Sequence, residues 1–220
     1  MVEFTLWDIL RNLLLAARWT IMLSAVAFAG GAAVGLAILL LRISKKQWAR
    51  RFASGYISLF QGTPLLMQLF LMFFGLPMLG FRIEPWTAAV LGLTFFASAY
   101  LAEIWRGCVA AIPRGQWEAA QSLALNFGEQ LRHVVLPQAV RRVVPPLMND
   151  LVSLQKDSGL IAVLGVIDAI RAAQIETALD FNFTPYVVAG ALFVALTIPM
   201  ARFTDHLARK QGMHGATGSL

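Results

Sequence analysis

The chain has 220 residues, 58% hydrophobic and only 14% charged, with a mean hydropathy of +0.67. A soluble domain carries about 25% charged residues, so this composition excludes an ordinary water-soluble fold and points to a membrane protein. The net charge is +6; long apolar runs leave no soluble face for a basic groove, so the excess argues for orientation in a membrane and against nucleic-acid binding.

A membrane-spanning helix needs about 20 mostly apolar residues. Five segments reach or approach this, at residues 13–41, 53–76, 86–104, 147–167 and 186–203. The expected fold is therefore all-α, one transmembrane domain over residues 1–220 with five transmembrane helices. The opening MVEFTLWDIL lacks the basic stretch of a signal peptide, and the apolar run behind it is too long for a cleaved one.

In the first span, Phe4–Arg18 fits two descriptions equally well: an interfacial helix, or the first turns of a long tilted span. Gly31 and Gly35 have the spacing that permits close helix approach. In a segment rich in small residues that spacing arises easily by chance, and it is given no functional weight. In the second span, Gln61-Gly62-Thr63-Pro64 interrupts the start, with Thr63 as helix cap and Pro64 in the first turn. In the third, Glu103 and Arg106 form an i,i+3 pair at the end, and Tyr100 reads as packing.

Between the third and fourth spans lies a polar island, residues 113–137. Pro113 precedes a short helix from Gly115 to about Leu125 that carries Glu118, Ala119 and Ala120. Asn126, followed three residues later by Glu129, starts a second helix. Pro137 should end it near Leu136. Ala119 and Ala120 offer a face that a partner groove can approach closely. From the residues alone, an amphipathic hairpin without a partner fits as well.

The fourth span should start after Pro145-Pro146 and run to about Ile167. Asn149, Ser153 and Lys156/Asp157 recur on one helical face. A charge at membrane depth costs about 2.5–3.5 kcal/mol on insertion scales, so it faces protein or a water-filled path. Asp157 is expected to line a solute path, supported by Asn149 and Ser153, with Lys156 bracing a neighbour. The competing reading is a polar lock between helices.

Basic residues cluster in loop 1–2 (Arg42 to Arg51), in loop 3–4 (Arg106 to Arg142) and in the tail (Arg202, Arg209, Lys210). With five spans these fall on one side, placing the N-terminus outside and the C-terminus in the cytoplasm. Trp7, Trp19 and Trp86 fit an outer interfacial belt. No internal repeat argues for an inverted-repeat carrier. Cys108 is the single cysteine, and His133, His206 and His214 lack ligand spacing, so no metal site is expected. No nucleophile–base set and no GxxxxGK[ST] phosphate loop occur.

The run EAAQSLALNFGEQLRHVVLP (Glu118–Pro137) resembles the cytoplasmic signature of permease subunits of ATP-binding-cassette importers, with Ala124 where that family has glycine. Alanine there places more helix propensity at the turn. FQGTPLLMQLF (Phe60–Phe70), AYLAEIWRGCVAAIPRGQWEAA (Ala99–Ala120) and LPQAVRRVVPPLMNDLVSLQKDSGL (Leu136–Leu160) resemble the polar amino acid permeases of that family. That branch usually has Arg at Gln61 and Thr-Ser at Ser158-Gly159.

The resemblance implies a bacterial cytoplasmic (inner) membrane permease that imports a polar amino acid or derivative by alternating access. It implies a second permease chain, identical or homologous, two cytoplasmic ATPase subunits that bind the ATP and Mg, and a periplasmic or extracellular solute-binding protein. The chain itself needs no cofactor and is no enzyme; its partners include membrane lipid and no nucleic acid. Residues 113–137 become a cytoplasmic coupling-helix loop: Glu118 makes a polar contact to the ATPase, Ala119, Ala120 and Ala124 set a close fit, and Leu136 and Pro137 anchor the return. Gln61 and Thr63 join Asp157, Asn149, Ser153 and Lys156 along the substrate path. An opine or other small solute, or a non-transporting scaffold that binds an ATPase, are the alternatives.

Overall fold

Thr5 opens the first helix: its hydroxyl oxygen accepts the Asp8 N–H at 3.2 Å, and its own N–H donates to the Asp8 carboxylate at 3.1 Å. The helix then runs unbroken over Leu6–Arg42 (α1), 37 residues. At 1.5 Å per residue it is about 55 Å long, well beyond an apolar core of about 30 Å. Phe4–Arg18 is therefore no separate interfacial helix; from Leu6 on it is the first turns of one long helix. The computed structural model of the chain describes residues 4–210, so His214 lies outside the described residues.

Against α1 packs Pro85–Ala110 (α4). A Cβ on Gly31 would stand 2.9 Å from the Ala97 Cβ, and one on Gly35 the same 2.9 Å from the Ser98 carbonyl oxygen. The discounted glycine pair is thus the place where the two helices touch backbone to backbone. Leu23, Ala27, Leu93, Ala97 and Leu101 form the core alongside. Trp19, well inside α1, meets Trp86 at the start of α4 edge to face at 5.9 Å, and Arg42 faces Glu103 near the ends of both helices. The two helices therefore run parallel.

Between them, the second segment is not the straight span over residues 53–76 that hydropathy suggests. Gln47–Gly62 (α2) and Leu65–Met78 (α3) meet at a 107° bend. Pro64 has no N–H to donate and holds Thr63 extended, at φ −119 and ψ 144. Thr63 is the C-cap of α2 and not the N-cap of α3; Pro64 is the residue before α3, without a side-chain bond. The carbonyls freed at the end of α2 are claimed by Gln68, whose amide donates to the oxygens of Phe60 (2.9 Å) and Thr63 (3.0 Å) and to the Thr63 hydroxyl (2.8 Å).

Arg114–Ser122 (α5) follows α4. Asn126 and Glu129 then form the expected capping box, with bonds of 3.0 and 2.8 Å. The helix they start does not end at Leu136. It continues as Phe127–Leu164 (α6), passing Pro137 and holding Pro145 and Pro146 inside. A π turn over Gln130–Val135 makes this possible: Leu136 N–H reaches back five residues to the Leu131 oxygen, so the ladder has changed register before Pro137 arrives. The fourth span accordingly begins ahead of the proline pair. Its α geometry stops at Asp157, a 3₁₀ stretch covers Ser158–Leu164, and Gly165 at φ +80 ends it. Asp168 caps Ala169–Asp180 (α7), accepting the Arg171 N–H at 2.7 Å. Thr184–Lys210 (α8) closes the described residues.

Among the described residues, α1, α4 and α8 are long and apolar enough to cross a membrane singly, and the bent pairs α2–α3 and α6–α7 are so only when each is taken together.

Candidate functional sites: a cavity between two helices and an exposed loop

Between α4 and α6 lies a cavity of about 420 Å³. Asn149, Ser153 and Asp157 line it, so the predicted polar face does converge on one space. Asp150 lines it too, with Phe96 and Tyr100 from α4, whose rings pack at 4.8 Å. Asp150 Oδ2 is buried without a hydrogen-bond partner among the described residues. Sequence reading left Asp150 off this face and took Tyr100 as packing alone. The signal was present: Asp150 and Asp157 are seven residues apart, two helical turns, and so share a face.

The other predicted path residues are elsewhere. Lys156 is exposed and does not line the cavity. Gln61 donates to the Ala99 carbonyl at 3.3 Å and ties α2 to α4, and Thr63 donates to the Leu59 carbonyl at 2.7 Å at the end of α2. Glu103 is clasped by Arg106 at 2.6 Å, as its spacing predicts, with Arg42 at 3.9 Å. Among the described residues, no three His, Cys, Asp or Glu gather as a metal site.

The second site is the loop. Glu118 and Ala119 of α5 are exposed, as are Ala124, Leu136 and Pro137. Ala120 is only 2% exposed, so the expected two-alanine face is reduced to Ala119. Leu123 (73% exposed) and Phe127 (69%) add an apolar surface that the sequence did not single out. Phe127 stacks on Trp117 at 6.1 Å. Gln138 donates to Gln116 at 3.0 Å, and Arg142 donates to the Ala111 carbonyl at 2.8 Å; both fasten the loop to α6.

Ala124 sits at φ +56, in the left-handed region. Its N–H bonds to the Gln121 oxygen at 2.8 Å, and Leu125 N–H to the Ala120 oxygen at 3.3 Å. This pair of bonds is the Schellman ending of α5, which favours glycine at position 124. Alanine therefore does not extend the helix here; it bears the strain of the turn.

Residues 33–212 match the family model described as "Binding-protein-dependent transport system inner membrane component". The chain belongs to this family. It is a permease subunit of an ATP-driven transporter in the inner membrane, and ATP hydrolysis belongs to a separate ATPase subunit. The permease is 36% identical to the probable amino-acid ABC transporter permease protein YckA of Bacillus subtilis (strain 168), over 87% of this chain and 85% of that one. It is 34% identical to the arginine transport system permease protein ArtQ of the same organism, over 87% and 88% of the two chains. Its fold superposes on a chain from a crystal structure of an amino acid ABC transporter with histidines at a TM-score of 0.91 and 32% identity, covering 96% of this chain and 99% of that one. The permease works in a complex with an ATPase and a substrate-binding partner.

Proposed function

We propose that this permease moves a polar amino acid or amino acid derivative into the cell by alternating access, through the cavity between α4 and α6. The observation that carries the reading is the convergence of Asn149, Ser153 and Asp157 on that cavity, beside the Phe96 and Tyr100 rings. Two amino-acid transport relatives and an amino acid transporter of the same fold support the substrate class. Asp157 meets the substrate ammonium, and Asn149 and Ser153 orient it. Gln61, Thr63 and Lys156 act outside the cavity walls, as supports.

The chain forms one transmembrane domain of five spans, each bent pair counting as one. The parallel run of α1 and α4 supports a single return crossing between them. The N-terminus is outside and the C-terminus in the cytoplasm, as the basic loops require. α5 and the start of α6 dock into a cytoplasmic ATPase. Glu118 makes the polar contact, Ala119 and Ala124 allow close approach, Ala120 packs underneath, and Leu136 and Pro137 carry motion into α6. Two such permeases, identical or related, stand over two ATPases and receive substrate from a solute-binding protein.

The test is uptake in proteoliposomes that hold the complete transporter. Asp157→Asn should lower amino acid uptake at least tenfold with assembly intact. Full uptake with unchanged substrate choice would remove the cavity from the path, and loss of assembly would favour a polar lock between helices.

A further inference from the structure

Two carboxylates, Asp150 and Asp157, line the cavity between α4 and α6, and no Lys, Arg or His does. Neither acid forms an ion pair among the described residues. Other acids are better settled. Glu103 lies between two arginines, Asp168 accepts a backbone N–H at 2.7 Å, and Glu176 accepts from Asn12 at 2.9 Å. Each of these three also keeps one buried oxygen without a hydrogen-bond partner, as Asp150 does; Asp150 differs in making no side-chain hydrogen bond or ion pair with either oxygen among the described residues. Lys156, adjacent to Asp157 in sequence, is exposed and outside the walls.

Two like charges in one low-dielectric space repel each other and lack hydration. An occupant that brings positive charge removes both penalties. We infer that the cavity takes an amino acid or derivative whose side chain is itself cationic, and that Asp150 selects it; this rests on the reading of the cavity as the substrate path. The α-ammonium of any amino acid supplies one cation for one carboxylate. A neutral amide side chain leaves the second carboxylate uncompensated, and an acidic one adds a further negative charge beyond the substrate's own α-carboxylate. Only a basic side chain supplies a cation for each of the two carboxylates. Asp150 and Asp157 are about 10 Å apart along the helix axis, which suits cationic groups at the two ends of one extended molecule. The Phe96 and Tyr100 rings add faces on which a guanidinium or ammonium can rest. Asn149 and Ser153 supply the N–H and O–H donors for the substrate carboxylate.

The test is direct calorimetric binding to the permease–ATPase complex in nanodiscs, without the solute-binding protein, so that the cavity and not that partner does the choosing. The probes are arginine, lysine, an N-carboxyethyl arginine, glutamine and glutamate. At least one basic probe should bind 30-fold or more tighter than glutamine, on the order expected for one unpaired buried charge. Asp150→Asn should close most of that gap, by weakening the basic probe and by relieving the penalty on glutamine, while the complex still elutes intact. Glutamine or glutamate binding as tightly as every basic probe overturns the inference, and so does an Asp150→Asn variant that keeps the gap. The underlying path reading fails separately. It fails if Asp157→Asn and Asn149→Ala leave all binding unchanged, or if no probe binds the unaltered complex; the inference then falls with it.

Discussion

Gly35 of α1 lies so close to Ser98 of α4 that a Cβ on the glycine would come within 2.9 Å of the Ser98 carbonyl oxygen. The obstacle is backbone, which cannot swing aside as a side chain would. Gly35→Ala must therefore push α1 and α4 apart, at a cost of about 1–3 kcal/mol. A chain of this size loses about 2–4 °C of melting temperature per kcal/mol. Melting in nanodiscs should drop accordingly, whereas Gly55→Ala, where nothing lies within 4 Å, should not lower it. Equal behaviour of the two variants would show that the crossing is looser than drawn.

Ala124 makes a second backbone test. Its φ of +56 is strained for any residue with a Cβ, and glycine relieves it. Ala124→Gly should stabilise the end of α5 by about 1 kcal/mol, and Ala124→Val should destabilise it by more, since a branched Cβ fits that region worst. Hydrogen exchange at the Leu125 amide, which closes the turn, reads both. Slower exchange in the valine variant than in the parent would contradict the left-handed turn.

Gln68 is the third. It is 5% exposed, and its amide serves three oxygens at the α2–α3 bend. Gln68→Leu keeps similar bulk and strands the Phe60 and Thr63 carbonyls, so it should cost about 1–3 kcal/mol. Gln68→Ala with a comparable melting loss would point to those bonds and not to packing. An unchanged melt for both would mean that water or lipid headgroups serve these oxygens.

These sites show what was legible in the sequence. Membrane class, the apolar segments and the Asn126–Glu129 cap follow from composition and local chemistry; the structure retains the cap, and three of the five segments stand as single long apolar helices. The misses share one cause. Pro64, Pro137 and Pro145-Pro146 look alike as helix breakers, yet only Pro64 breaks a helix. Ahead of Pro137 a π turn over Gln130–Val135 shifts the ladder, and nothing in the proline itself signals that turn. Likewise Gly31 and Gly35 gain meaning only from Ala97 and Ser98, more than 60 residues away in the chain. The cavity was half visible: one helical face of α6 gave Asn149, Ser153 and Asp157. Phe96 and Tyr100 come from another helix, and no periodicity within α6 could supply them.

The loop carries the last prediction. Leu123 and Phe127 are 73% and 69% exposed on the turn between α5 and α6, a costly arrangement for a surface that would face water unpartnered. Burying either side chain against an ATPase groove is worth about 1.5–3 kcal/mol, or roughly 10- to 150-fold in affinity. Leu123→Ser should therefore weaken ATPase capture by the permease at least tenfold, with its own melting temperature unchanged. Phe127→Ser should do the same and also release Trp117, visible as a change in tryptophan emission. Glu118→Gln, which keeps shape and removes charge, should shift capture less, and more at low salt than at high salt, because exposed charge contacts are screened. The ordering separates the two kinds of contact. If Glu118→Gln alone abolishes capture while Leu123→Ser leaves it intact, docking is electrostatic and the exposed apolar pair has another use.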